Sequence, residues 1–257
     1  CVVRWKSSLT NPQAPKHNSG STPTSVAPHP FRLLVVMLSA VLGFSSSQRV
    51  KDIPLVSFAA DASKSLTHTW TALNDPVMGG KSHSTVSVSD GVLKFIGTCA
   101  IVPSLGAPGF ITAQTGRGYG PGTLGNETFV DVSSCKGLTI VAKDYTKGSY
   151  KGYRVSFGNG HAPGGFHAYG FKANLDPTAG SFGAVSIPFT NFTDNWNGAT
   201  GKATHSCEEK PEYCPDHSTL TNMKTISIWG EGVEGDVHLE VKSIAGYGCA
   251  AATVEAA

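Results

Sequence analysis

The 257 residues carry 20 Lys and Arg against 18 Asp and Glu, a formal charge of +2. The charge is unevenly placed: residues 1–51 hold Arg4, Lys6, Lys16, Arg32, Arg49 and Lys51 with no acid, leaving 14 basic against 18 acidic residues in the other 206, a net −4. An acidic body with scattered lysines lacks the clustered basic face that phosphate backbones require, which excludes nucleic acid as a partner class.

Glycine, at 30 residues, is about 12% of the chain against a usual ~7%, and charged residues stand at 15% against a usual ~25%. That balance predicts many short strands joined by turns, an all-β protein. The length after the leader suits one domain, over 52–250, with a short tail at 251–257.

The chain opens on Cys1, and its first methionine is Met37. Residues 7–30 are rich in Ser, Thr, Pro and Asn without apolar periodicity, so 1–31 is read as disordered or untranslated leader sequence. Arg32 then precedes LLVVMLSAVLGF at 33–44. Twelve apolar residues fall short of the roughly twenty that span a bilayer and match the core of a secretory signal peptide, so 32–48 is a targeting segment and no stable transmembrane span is expected. A start at Met37 gives instead a Ser-containing, acid-free leader of mitochondrial type. Five cysteines in the body (Cys99, Cys135, Cys207, Cys214, Cys249) and two N-glycosylation sequons, at Asn126 and Asn191, favour the secretory or extracellular address.

From residue 84 onward, β-rich runs recur: STVSVS (84–89), VLKFIG (92–97), GFITAQT (109–115), GLTIVAKD (137–144), YKGYRVSFG (150–158), FHAYGFKA (166–173), GAVSIPF (183–189), KTISIWG (224–230) and DVHLEVKSI (236–244). Leu138, Ile140 and Ala142 share one side of their run; Val237, Leu239, Val241 and Ile244 mostly share one side of theirs. Turn signals such as Asp90-Gly91 and Asn159-Gly160 separate the runs. The pattern predicts an antiparallel two-sheet β-sandwich of jelly-roll type, with no helix beyond about two turns.

Within this pattern, Trp70 is followed by TALNDPVMGGKS and then by DVSSCKGLTIVAKD, YRVSF, SIPFTNF and ISIWGEGVEGDVHLEVKSI. Over residues 66–246 this closely resembles the complex I intermediate-associated protein 30 family. The resemblance implies a galactose-binding-like jelly roll and a non-catalytic role, since founding members help assemble mitochondrial NADH:ubiquinone oxidoreductase. It also implies the mitochondrion as the alternative address. Some relatives fuse the domain to a Rossmann-type reductase, whose fingerprint these residues do not carry.

The signature residues have physical roles of their own. Gly79-Gly80 permits positive φ in a tight turn, Asn74 and Asp75 can hydrogen-bond their own loop, and Trp70, Val77 and Met78 supply packing beneath it. With Ser82, these residues stand as a loop that is either structural or in contact with a partner.

The remaining motifs are weaker. His205, Cys207, Cys214 and His217 resemble a Cys2His2 zinc set, but a local Cys207–Cys214 disulfide is the favoured reading, with Cys99 and Cys135 as a possible second pair. They sit in an enlarged loop, 198–222. Gly120, Gly122 and Gly125 satisfy GxGxxG without the strand and helix a dinucleotide site needs. Asp75, Glu231, Glu234 and Asp236 present no convincing catalytic pair, no nucleophile motif appears, and His161 and His167 lack a third ligand. The chain is therefore read as non-enzymatic, without cofactor or metal, binding a partly assembled protein. The alternative is an exported module binding carbohydrate or a cell-surface protein through loop aromatics such as Trp196, Tyr119 and Tyr213.

Overall fold

The computed structural model describes residues 51–75, 79–115, 128–161, 168–197 and 200–250. The expected leader and tail, Val77, Met78, the GPGTLG stretch with Tyr119, Asn126 and His167 lie outside the described residues.

In chain order the strands are β1 (Lys51–Ser57), β2 (Trp70–Asn74), β3 (His83–Ser89), β4 (Val92–Cys99), β5 (Ile101–Val102), β6 (Ala107–Pro108), β7 (Phe110–Thr115), β8 (Gly137–Asp144), β9 (Tyr153–His161), β10 (Ala168–Asn174), β11 (Thr178–Ala179), β12 (Gly183–Pro188), β13 (Trp196–Asn197), β14 (Lys202–Ala203), β15 (Thr225–Glu231) and β16 (Gly235–Cys249). The described α-helices are two single turns, α1 (Lys64–Thr67) and α2 (His217–Thr221), and no described helix is long and apolar enough to cross a membrane.

Seven strands form one sheet, ordered β11, β8, β16, β4, β3, with β1 also on β16 and β12 also on β8; five form the other, ordered β10, β9, β15, β7, β2. Pairing is antiparallel except for the short β8–β11 contact. The result is an antiparallel two-sheet sandwich of jelly-roll type.

Strand alternation builds the core. Leu138, Ile140 and Ala142 of β8 and Leu93 and Phe95 of β4 face Ile111, Ala113, Val155, Phe157, Ile226 and Ile228 of the other sheet, all at 0–1% exposure. In β16, Val237, Leu239 and Val241 alternate inward, and a bulge between Val241 and Ser243 shifts the phase so that Ile244 also points in. That bulge is why the apolar pattern of this strand breaks period two.

The cysteine pairing differs from expectation in one respect. Cys207 and Cys214 are bridged, but Cys135 pairs with Cys249, and Cys99 is a free, buried thiol. The topology explains why Cys99 and Cys135 do not meet. Cys99 pairs across β4 with Gly235, the first residue of β16, whereas Cys135 is bonded to Cys249, the last. At about 3.3 Å per residue, the ends of that 15-residue strand lie some 40 Å apart or more, far beyond the ~7 Å Cα separation a disulfide tolerates.

Candidate functional site

The signature segment leaves the sheet at the end of β2. Trp70 is half-buried, its ring 5.8 Å from Phe58 and its Nε1 donating to the Thr67 carbonyl at 3.0 Å. The Asn74 side-chain amide donates to Ser84 Oγ (2.7 Å) and to the Leu73 carbonyl (3.0 Å) and accepts from Ser84 N (3.1 Å), locking β2 to β3.

Asp75, 1% exposed, is the centre of the knot. Its carboxylate accepts from Ser82 N at 2.8 Å and Ser82 Oγ at 2.5 Å, and Ser82 Oγ in turn accepts from Ala100 N at 2.9 Å. The Gly80 amide closes the loop on the Asp75 carbonyl at 3.1 Å, and Gly79 sits at φ +80°. A Cβ on either Gly80 or Gly109 would overlap the Asp75 carboxylate, so both positions need glycine for close approach. Asp75 and Ser82 thus weld the loop to the β4–β5 corner.

Beside the knot, the Cys99 thiol donates to the Gly109 carbonyl at 3.2 Å, and burial pushes its pKa up to about 11. The thiolate is the reactive form, so Cys99 is expected to resist iodoacetamide in the native protein at pH 8 and to react once the chain is unfolded without reductant. Mass spectrometry of the Cys99 peptide should show no label in the native state and labelling after denaturation.

The knot also floors a cleft of about 60 Å³, walled by Val102, Leu105 and Pro108 of the β5–β6 hairpin and by Phe110 and Glu231 of the five-stranded sheet. From this cleft a band of side chains runs over the sheet's outward face. Register places Thr112, Trp229 and Arg154 in one row and Gln114, Ser227, Ser156 and Lys172 in the next. Lys172 Nζ meets Glu231 Oε1 at 2.6 Å, with side chains 15% and 9% exposed. The same ammonium lies 4.3 Å from the Trp229 ring centre and 5.2 Å from that of Trp196. Trp229 Nε1 donates to Ser156 Oγ at 2.7 Å, and its ring is 5.7 Å from Phe110.

The segment that carries Trp196 is itself tied to this face. Thr193 exchanges two backbone hydrogen bonds with Lys172, at 2.8 and 3.1 Å, and its carbonyl also accepts from Trp196 Nε1 at 2.8 Å. Arg154, 9% exposed, lies under the Trp196 ring at 5.9 Å; its Nη1 donates to the Tyr153 carbonyl at 2.8 Å, while its Nε is buried without a hydrogen-bond partner.

Asp75, Glu231 and Trp196 are therefore brought to one region, although sequence reasoning treated them separately. Glu234 stays exposed, and Asp236 accepts from Thr98 Oγ1 at 2.9 Å on the other sheet. Tyr213 stacks on His205 at 5.7 Å in the enlarged loop, where the Cys207–Cys214 bridge removes two of the four ligands of a zinc set. Among the described residues no three His, Cys, Asp or Glu converge on a metal-sized point. Lys172, Arg154, Trp229 and Phe110 were missed, because nothing in strand alternation marks an outward polar residue as part of a site.

Comparison with known proteins adds a family and a set of distant folds. No curated protein matches the chain. Among solved structures, a family 11 carbohydrate-binding module from Clostridium thermocellum, in complex with a mixed-linked tetrasaccharide, aligns at TM-score 0.48 and 12% identity over 77% of this chain and 97% of its own. The family 11 module of a cellulosomal cellulase of that organism aligns at 0.47 and 12%, over 78% and 96%. An agarase aligns at 0.40 and 10%, over 77% of this chain and 25% of its own. These likenesses are too distant to transfer a ligand. The family match is of another kind, running over residues 57–210 and so including the Asp75–Ser82 knot and most of the outward face. The chain belongs to the complex I intermediate-associated protein 30 family.

Proposed function

We propose that this chain is a non-catalytic binding module that holds a partly assembled protein on the outward face of the five-stranded sheet. The family's name supplies a complex I intermediate as the first partner to test. The observation that carries the reading is the Lys172–Glu231 pair set between Trp229 and Trp196. Mostly desolvated charges framed by tryptophan and arginine are the chemistry of interface hot spots, and they lie on the outer side of the sheet rather than between the two sheets.

The same geometry argues against catalysis. The Asp75 carboxylate is taken up by two donors of Ser82 and the Glu231 carboxylate by Lys172, so each already has a partner within the fold. Cys99 is held as the thiol by burial. The two disulfides fit an oxidising compartment, and a secretory or extracellular setting is the address proposed here, with the mitochondrion as the alternative that retention of a complex I intermediate would select.

A second reading, carbohydrate binding, is favoured by the rings of Phe110, Trp229 and Trp196, which stand beside the hydrogen-bonding groups of Ser156, Lys172 and Glu231. The test uses the full chain and its Trp229→Ala variant, matched for thermal stability. Both are challenged with solubilised complex I intermediates, with secretory-pathway proteins and with a glycan array. Retention of a protein partner that falls about 30-fold in the variant, the loss of a ~2 kcal/mol hot spot, is the expected result. Glycan binding lost in the variant, with no protein retained, selects the second reading. Ligands held equally by both proteins would remove this face from the function.

A further inference from the structure

The sequon Asn191-Phe192-Thr193 lies in a part of the fold whose three residues have different fates. Asn191 ends a 3-10 turn, Phe189–Asn191, and is exposed. Its side chain borders an open groove of about 410 Å³, whose rim carries Asn174, Asp176, Ser186, Ser206 and Glu208. Phe192 is fully buried and Thr193 is 2% exposed. The Thr193 hydroxyl donates to the His205 carbonyl at 2.9 Å and accepts from Asn195 N at 3.2 Å, while its backbone is paired both ways with Lys172.

We infer that Asn191 is an N-glycosylation site, and that the glycan is added before the enlarged loop closes over Thr193. This goes beyond the binding role proposed above and does not depend on it. Two disulfides place maturation where thiols are oxidised, the same kind of compartment in which sequons are modified. A sequon is recognised through its hydroxyl as well as its asparagine, and here the hydroxyl and both backbone groups of Thr193 are consumed by the fold. The exposed asparagine and the open, polar groove leave room for the attached sugars afterwards. The Cys207–Cys214 bridge staples the loop whose His205 takes the hydroxyl, so forming it closes the time window for transfer.

The donor is a lipid-diphosphate-linked oligosaccharide. Asn191 Nδ2 attacks sugar C1 and forms the N–C1 bond. The C1–O bond to diphosphate breaks, its electron pair leaves with the lipid diphosphate, and the amide gives up one proton to the transferase.

The experiment produces the full chain, the Cys207→Ser/Cys214→Ser variant and Asn191→Gln in a eukaryotic secretory host. Occupancy is read by peptide mass spectrometry after enzymatic deglycosylation in 18O water. The expected result is 18O-labelled aspartate at position 191 in the wild type, at least as much in the loop-open variant, and loss of one glycan's mass in Asn191→Gln. An unmodified Asn191 in both wild type and loop-open variant, whether or not Asn126 is modified, overturns the site. Lower occupancy in the loop-open variant overturns the order of events.

Discussion

Removing the Cys135–Cys249 bridge as Cys135→Ala/Cys249→Ala is expected to lower stability by about 4–5 kcal/mol, against about 2–3 kcal/mol for Cys207→Ala/Cys214→Ala. The difference follows from loop size: the sequence separations are 114 and 7 residues, and closing the longer loop removes more entropy from the unfolded chain. The long bridge also acts on the folded side. It fixes the end of β16 to the segment before β8, where Lys136 N bonds the Tyr247 carbonyl at 2.9 Å and Ala250 N the Ser134 carbonyl at 3.1 Å. Strand β1, paired with this half of β16 from Lys51↔Cys249 to Ser57↔Ser243, depends on the same anchor. At roughly 2–4 °C per kcal/mol for a domain of this size, the melting point should fall by about 8–20 °C in the first variant and about 4–12 °C in the second. Calorimetry of both variants in non-reducing buffer checks this. A larger shift for the short loop would show that the enlarged loop's packing, rather than chain entropy, dominates.

Strand alternation made most of the sandwich legible. The GLTIVAKD run coincides with β8, and eight further runs fall on β3, β4, β7, β9, β10, β12, β15 and β16 with ends displaced by a few residues. Strand β1 was not legible because Pro54 interrupts it; the strand tolerates that residue because it pairs on one side only, with β16, and its register shifts between Pro54 and Val56. The last residues of β16, GYGC, lie beyond the DVHLEVKSI run, and they continue as strand because β1 and the disulfide hold them. The site was less legible for a related reason. Lys172 and Glu231 are 59 residues apart and meet only through the order β10, β9, β15. Within a single strand, Arg154 or Trp229 looks like any outward residue. Cross-strand register, which no local pattern encodes, makes them neighbours.

The signature loop allows a sharper test of whether a family motif serves the fold or a partner. Asp75→Ala is expected to destabilise the protein by about 3–5 kcal/mol. It leaves the buried Ser82 amide without an acceptor, at ~1–3 kcal/mol, and opens a void beside two glycines that have no side chain to fill it. Asp75→Asn should cost less, about 1–2 kcal/mol, because one amide oxygen can still accept from Ser82 N. Gly109→Ala alone drives a methyl group into the carboxylate and is expected to destabilise too. In the Asp75→Ala background that methyl enters vacated space, so the double variant should be more stable than the sum of the two singles by at least about 1 kcal/mol. Denaturant unfolding of the four proteins in the cycle gives this coupling directly. A loop held only by its partner would show additive effects on the isolated protein, with the loss confined to binding. Strong coupling between residues 75 and 109 places the motif's acidic residue in the architecture and leaves recognition to the neighbouring face of Lys172, Trp229 and Glu231.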